Sequence, residues 1–187
     1  MRNDVVWQPR HGYYALTAYQ ERGEFFPQQW VPASMAGRHV LGVLSEQTGQ
    51  TVGLHAAVLT DVPVQVCVSC LDGPGGLSQR PQLGVPRPLG EDAAGSAILA
   101  HLRIPHPKPE ERHAVRFRGW ATSPGPVPES QMIAVPLLRF GLPVGALSIT
   151  ARTEQDGSRI PSCVPALKRA ALSLADLSAR SLVSAAD

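Results

Sequence analysis

The chain has 187 residues, 43% of them hydrophobic, and 17 Lys and Arg against 15 Asp and Glu give a net charge of +2. A chain of this length is expected to form about one domain with a substantial core. The small charge excludes a strongly basic nucleic-acid-binding face, and no apolar run suits a membrane span or a signal peptide. We therefore expect a cytoplasmic protein.

The first half of the chain predicts a hairpin, a helix and three extended segments. The hairpin turns at residues 9–12, and a hairpin of this size needs another part of the protein or a partner to pack on. The helix bounds follow from two residues, because proline is tolerated in the first turn of a helix and glycine is typical of its end. The expected elements are β segments within 5–16, a helix from Pro32 to Gly49, and extended segments at 51–60, 64–71 and 77–85.

We expect the rest of the chain to be organised around the stretch from Leu83 to Leu102. Pro86, Pro88 and Gly90 end the preceding segment, and Asp92 is the expected N-cap of a helix. The residues after Asp92 are small and allow a close approach to the first backbone N–H groups. A neighbouring strand or a bound small molecule could occupy that position.

The second half predicts a hairpin and a closing helix. We expect a proline-broken link at 103–113 with at most one helical turn, a short extended segment at 115–120 and a loop at 121–129. Strands at 131–139 and 143–151 are joined by 140–142, and a helix covers 161–186. Its expected apolar positions are Val164, Leu167, Ala171, Leu174, Leu177 and Leu182. Strand pairs with helices between them favour an α+β fold.

The motifs do not indicate an enzyme or a metal protein. Cys67 and Cys70 lie three apart on a predicted strand, so their sulfurs are expected to point to opposite faces. The third cysteine, Cys163, adds no second ligand pair for zinc. The six histidines lack metal-binding spacing, and Gly95-Ser96 is only part of a nucleophile motif. We expect no catalytic residues, no metal and no cofactor.

Ser148 and Thr150 lie two apart on a predicted strand, so both hydroxyls leave the same face. Leu147 and Ile149 point the other way. The hydroxyl face is either exposed to solvent or covered by the segment 90–97. In the second case the hydroxyls become polar contacts in an otherwise apolar pocket.

Three segments in this order resemble the effector-binding domain of the IclR family of bacterial transcriptional regulators. They are SEQTGQTVGLHAAVL, LGVPRPLGEDAAGSAILAHL and MIAVPLLRFGLPVGALSITA, followed by an Ala-rich helix. The family has a Glu-Glu-Thr-Gly-Glu-Thr-like run, a Gly-x-x-x-Pro-Leu segment and a Cys-Ile-Ala-Ala-Pro strand paired with Leu-Ser-Ile-Ser. The resemblance covers about residues 32–183 and depends on the ordered set of motifs.

The resemblance implies a GAF-like antiparallel sheet flanked by helices, a small-molecule pocket and self-association as a homodimer or tetramer. It places Met132 where a Cys is usual and Thr122 or Ser123 where an acid is usual. The implied effector is a carboxylate or a neutral metabolite with an apolar body. The implied ligand-binding residues are Leu83, Leu89, Ala93, Ala94, Ser123, Met132, Ser148 and Thr150.

Residues 11–16, HGYYAL, resemble the end of the family's winged helix-turn-helix. We therefore expect residues 1–19 to be a remnant of the wing hairpin and linker, and residues 20–187 to be the effector-binding domain. DNA contact is then expected only through an N-terminal unit absent from these residues. The alternative is a stand-alone GAF-like ligand-binding or dimerisation module that does not contact DNA.

Overall fold

A computed structural model describes residues 6–7, 13–16, 35–59, 62–74, 81–104, 108–153 and 159–183. The described helices are α1 (Met35–Thr48), α2 (Ala93–Leu99), α3 (Pro109–Arg118) and α4 (Arg159–Val183). The strands are β1 (Val6–Trp7), β2 (Tyr13–Leu16), β3 (Thr51–Val58), β4 (Val64–Leu71), β5 (Pro86–Pro88), β6 (Ala121–Pro124), β7 (Ser130–Arg139) and β8 (Leu142–Arg152).

The strands form one antiparallel sheet in the order β1-β2-β4-β3-β8-β7-β6, and β5 also pairs with β4. The predicted α+β class is therefore confirmed. The N-terminal strands β1 and β2 join this sheet through β4, where Ala15 is opposite Ser69. The predicted turn between them lies outside the described residues, and the predicted boundary at residues 19 and 20 stays a prediction.

Two layers of helices cover the two faces of the sheet. Helices α1 and α4 pack on one face, which we call the apolar face, through residues such as Leu44, Leu147 and Leu167. Helix α2, supported by α3, packs on the other face, which we call the pocket face. Because strand side chains alternate, adjacent residues such as Leu147 and Ser148 lie on opposite faces.

Several predicted elements are confirmed because local signals and packing agree. Gly49 ends α1 with φ 68°, and its N–H donates to the Ser45 carbonyl at 2.8 Å. The predicted start at Pro32 lies outside the described residues. In α4, Leu167, Ala171 and Leu174 are buried as predicted. Val164 packs partly buried against the same cluster, while the side chains of Leu177 and Leu182 lie outside the described part.

The predicted link and extended segment across 103–120 are wrong, because residues 109–118 form the three-turn helix α3. Pro109 is at the helix start, where the missing N–H costs nothing. Glu110 lies in the first turn and Arg116 in the last, which complements the helix dipole, and Gly119 at φ 76° closes the helix. The number of prolines upstream had favoured a link.

Three smaller boundaries also differ from the prediction. The strand after the β4 loop is at Pro86–Pro88, not within 77–85, where residues 77–80 lie outside the described part and Leu83 forms an isolated bridge to Cys67. The first four residues of the predicted loop 121–129 form β6. The β7–β8 turn uses only Phe140 and Gly141, both at positive φ, which suits the twist of an antiparallel hairpin.

Arg112 joins α3 to the end of α2. Its guanidinium donates to the carbonyls of Ala100 and Ile104 at 3.2 and 3.0 Å, and also to the carbonyl of Leu102. Carbonyls just beyond a helix end lack intrahelical donors, and an arginine fork can satisfy several at once. Helix α2 is therefore held at its carboxyl end by α3.

Candidate functional site

A cavity of about 440 Å³ opens on the pocket face, between the sheet and the segment 81–92. Its walls include His55 from β3, Gln65 and Cys67 from β4, and Met132 from β7. Arg87, Glu91 and Asp92 close it from the side of the loop that precedes α2. This volume lies within the range of small-molecule sites in proteins.

Asp92 fixes the position of α2 at the edge of the cavity. As predicted, it is the N-cap residue, and its Oδ1 accepts a hydrogen bond from the Gly95 N–H at 2.9 Å. A Cβ added at Gly95 would lie 2.9 Å from the Gly90 nitrogen and 3.2 Å from Gln65 Nε2. Glycine at this position thus allows the loop and β4 to approach the helix start.

A chain of polar contacts connects the floor of the cavity to its rim. Gln65 Nε2 donates to Asp92 Oδ1 at 2.6 Å, and Gln65 is only 1% exposed. Arg87 forms ion pairs at 3.6 Å with Asp92 Oδ2 and with Glu91 Oε2. The buried carboxylate of Asp92 therefore has a helix N–H, an amide and a guanidinium around it, as a buried charge requires.

His55 is buried beside this chain of contacts. Its Nε2 lies 2.9 Å from Ser148 Oγ, which also donates to the Gly53 carbonyl at 3.3 Å. Burial lowers the pKa of His55 to about 4; Arg87 lowers it further, while Asp92 opposes the shift. The imidazole is therefore neutral at neutral pH and contributes no charge to the cavity wall.

The structure decides between the two environments left open for Ser148 and Thr150. Both are buried, on the opposite face from Leu147 and Ile149, so this part of the sheet is covered and not exposed to solvent. Ser148 contacts His55 behind the cavity wall. The Thr150 hydroxyl is buried without a hydrogen-bond partner among the described residues, as is that of its cross-strand neighbour Thr51.

The other predicted site residues lie around α2. Met132 is in the cavity wall. Ala93 and Ala94 are fully buried against the sheet, and Leu89 packs beside them. Ser123 Oγ accepts from the Ala93 N–H at 3.0 Å, so a protein group occupies this donor. Leu83 pairs with β4. The structure thus brings one of the eight residues, Met132, into the wall, and their ligand-binding role stays a prediction.

The sequence reasoning missed the polar wall of the cavity. It expected an otherwise apolar pocket without an acid, whereas Glu91 and Asp92 both line it, together with His55 and Gln65. Polar residues on alternate positions of apolar strands, His55 in β3 and Gln65 in β4, were the available signal. The sequence predicted Asp92 only as a helix cap, but this residue also lines the cavity.

Cys67 and Cys70 differ from the expectation that their sulfurs diverge. The register between β3 and β4 shifts at Leu54, so Val68 is an extra residue in β4. Val68 and Leu71, three apart, consequently both pack against the apolar cluster. Burial raises the pKa of the Cys67 thiol and nearby Cys70 adds to the effect. The bulge thus places both cysteines on one face, and neither is part of a disulfide.

The described part of the chain contains neither a metal-binding cluster nor a membrane-spanning helix. In those residues no three His, Cys, Asp or Glu side chains are grouped so as to hold a metal ion. The helices of the same residues include none long and apolar enough to cross a membrane.

Solved structures similar to this chain include proteins described as transcriptional regulators or as their C-terminal domains. The C-terminal domain of the E. coli regulator KdgR is 20% identical, with a TM-score of 0.61, 80% of this chain covered and 98% of that one. No family model and no curated protein matches the sequence. The fold is therefore that of regulator C-terminal domains, and the compared proteins are described as regulators.

Within that class the chain has the fold of the IclR family, as the sequence motifs indicate. The Thermotoga maritima IclR is 21% identical, with a TM-score of 0.66, and the alignment covers 91% of this chain and 78% of that one. A protein from Silicibacter sp. described as an IclR regulator is 27% identical, with a TM-score of 0.59. That alignment covers 76% of this chain and 65% of the Silicibacter protein.

Proposed function

We propose that this chain is the effector-sensing domain of an IclR-type bacterial transcriptional regulator. The observation that carries the proposal is the cavity beside α2, whose wall contains the buried polar side chains of His55, Gln65 and Asp92. Burying polar groups costs stability unless they are paired, and a cavity lined by them suits a ligand with complementary polar groups. The IclR fold of the domain agrees with this role.

Of the residues expected from sequence, we propose Met132 as a direct ligand contact because it lines the cavity. Ser148 and Ser123 do not contact the ligand directly. Ser148 positions His55 through a hydrogen bond, and Ser123 accepts a hydrogen bond from the first N–H of α2. Thr150, Leu83, Leu89, Ala93 and Ala94 form the surrounding support.

Ligand binding changes the affinity of a regulator for DNA only if the ligand binds one arrangement of the regulator more tightly than another. We propose that this domain self-associates and that the ligand biases the arrangement of the oligomer in the bacterial cytoplasm. Exposed apolar side chains at one end of the sheet support self-association. They lie in the β3–β4 connection, in the β7–β8 turn and at the first residue of β8: Leu59 at 56%, Val62 at 74%, Phe140 at 88% and Leu142 at 62% exposure.

The sensing role is tested by screening metabolites for ligands that raise the melting temperature and shift backbone amide signals of cavity residues. Val85 lines the cavity and is 43% exposed. Val85→Trp is expected to fill the cavity and abolish the response. Leu172→Trp, a comparable change at a 68% exposed position of α4 on the opposite side of the sheet, is expected to preserve it. A screen without any cavity ligand, or equal responses in both variants, contradicts the proposal.

Self-association is tested by light scattering after gel filtration. We expect an oligomer whose size or dissociation constant changes when a ligand from the screen is added. Phe140→Ser together with Leu142→Ser is expected to weaken association without changing ligand binding. A protein that remains monomeric at all concentrations, with and without ligand, contradicts this part of the proposal.

A further inference from the structure

Helices α3 and α4 meet beside the start of β6, the strand at one end of the sheet. The Nζ of Lys168, in α4, donates to the carbonyl of Arg118, the last residue of α3, at 2.7 Å. A Cβ added at Gly119 would lie 3.1 Å from the same nitrogen, so the two helices are in close contact here. We call the outer side of this junction the basic surface, and it consists of Arg116, Phe117, Arg118, Lys168 and Arg169.

The positive charge of the basic surface is not neutralised by the part of the chain that the structure describes. None of its basic side chains forms an ion pair with a described residue. The carboxylates of α3, Glu110 and Glu111, lie in the first turn at its opposite end, and Glu111 is paired with Lys108. In α4, Asp176 lies about two turns beyond Arg169. A chain with a net charge of only +2 thus concentrates cations at this junction.

Arg118 is ordered by its own neighbours. Its Nε donates to the Trp120 carbonyl at 2.6 Å, and its guanidinium carbon lies 4.5 Å from the centre of the Trp120 ring. The two terminal nitrogens of the guanidinium form no hydrogen bond with the described residues. A guanidinium can bind a carboxylate through two parallel hydrogen bonds. Because this one is already held in place, it loses less conformational entropy when it does so.

Phe117 adds an apolar group between two arginines. Its side chain is 90% exposed in the last turn of α3, so it contributes little to the core. Protein interfaces are enriched in aromatic residues and arginine, and these residues carry much of the binding energy. The backbone of duplex DNA offers phosphates but no apolar group that would cover Phe117. The basic surface therefore suits a protein segment better than a nucleic acid.

We propose that the basic surface binds an acidic segment of a partner protein. Carboxylates of that segment pair with Arg118 and Arg169, and an apolar side chain between them covers Phe117. The inference is carried by an ordered arginine, unpaired cations and an exposed aromatic ring at one helix junction. It goes beyond the sensing role and requires neither the cavity nor its ligand.

The test measures binding of three labelled probes to the whole chain by fluorescence anisotropy at physiological ionic strength. The probes are a peptide of Glu-Glu-Leu repeats, the same peptide with serine in place of every leucine, and a duplex DNA of mixed sequence. We expect the leucine peptide to bind at least about fivefold more tightly than either of the other probes.

Matched variants locate the binding. Arg169→Glu is expected to weaken the leucine peptide about tenfold, whereas Arg152→Glu, the same charge change at the exposed last residue of β8, is expected to have little effect. Phe117→Ser is expected to reduce the affinity of the leucine peptide to that of the serine peptide. Arg118→Gln is expected to weaken both peptides. Since Arg169 and Phe117 are exposed, their comparisons stand even where Arg118→Gln disturbs the fold.

Three outcomes would overturn the proposal. The first is a leucine peptide that does not bind. The second is equal affinity of this peptide for the Arg169 and Arg152 variants. The third is duplex DNA that binds as tightly as the leucine peptide and is weakened by Arg169→Glu, which would assign the surface to a nucleic acid. None of these outcomes changes the proposal for the cavity.

Discussion

The two faces of the sheet are built from the same strands but by different rules. On the apolar face, hydrophobic side chains from α1, α4 and the strands form one buried cluster. On the pocket face the same strands present His55, Gln65, Ser148 and Thr150, all nearly inaccessible to solvent. One face therefore stabilises the fold through apolar packing. The other face buries polar groups around a cavity, which lowers the stability of the fold unless those groups are paired.

The largest expected difference between the faces is at two neighbouring residues of β8. Leu147→Ala removes a fully buried side chain from the apolar face and is expected to lower the free energy of unfolding by about 2–5 kcal/mol. Ser148→Ala removes the hydrogen-bond partner of His55 on the pocket face and is expected to cost about 1–3 kcal/mol. Urea denaturation measures both values. A Ser148→Ala variant less stable than Leu147→Ala would reverse the comparison.

Acid is expected to weaken the pocket face selectively through His55. The pKa of His55 is about 4 in the folded protein and 6.5 ordinarily, so between these values the unfolded chain binds a proton that the folded chain does not. The free energy of unfolding is therefore full above about pH 6.5 and falls by about 3 kcal/mol as the pH drops to about 4. Denaturation curves measured across this range test the expectation.

The control for the acid effect is a second histidine. His55→Gln is expected to remove most of the pH dependence between about 6.5 and 4, whereas His39→Gln, at an exposed position of α1, is expected to retain it. The difference between the two variants isolates His55 from carboxylates that titrate at the lower end of the range. Identical pH profiles would show that His55 does not carry the effect.

Close contact at Gly53 sharpens the comparison further. A Cβ at this position would lie 2.7 Å from Ser148 Oγ and 2.9 Å from His55 Nε2. Gly53→Ala is therefore expected to separate His55 from Ser148 and to lower the free energy of unfolding by about 1–3 kcal/mol. Thermal unfolding, together with the His55 ring signals in NMR, measures both consequences. An unchanged melting temperature would contradict the expected steric conflict.

The smallest expected effect is a gain at Gly42, within α1. No atom lies within 4 Å of a Cβ built there, and alanine is favoured over glycine inside a helix by about 0.5–1 kcal/mol. Gly42→Ala is expected to raise the free energy of unfolding by that amount in urea denaturation. Destabilisation would show that the open space is needed by another group.

Local signals in the sequence predicted much of the scaffold. Asp92 as N-cap, Gly49 as a helix end and the alternation at Ser148 and Thr150 each depend on neighbours within a few residues, and the structure confirms all three. Helix α3 was missed because its upstream prolines resembled a linker, although Pro109 suits a helix start.

The cavity could not be predicted in the same way because its wall is assembled by topology. His55, Gln65 and Arg87 come from β3, β4 and β5, and the sheet order together with the Val68 bulge decides which of their neighbours share a face. The same packing fills positions expected to contact a ligand: the Ala93 N–H is bound to Ser123. Such competition between protein groups is not visible in a motif.

The long edge of β4 has a mechanical consequence. Strand β5, which carries Arg87 in the cavity wall, pairs with residues 64–66, and the N-terminal strand β2 pairs with residues 69–71 on β4. Between them, Cys67 bridges to Leu83. The facing ends of β5 and β2 are three residues apart along β4, roughly 10 Å. A ligand that moves Arg87 toward the cavity would also displace β5 and the part of β4 that pairs with it. Because β2 pairs with the same strand, this displacement would be transmitted to the amino-terminal hairpin.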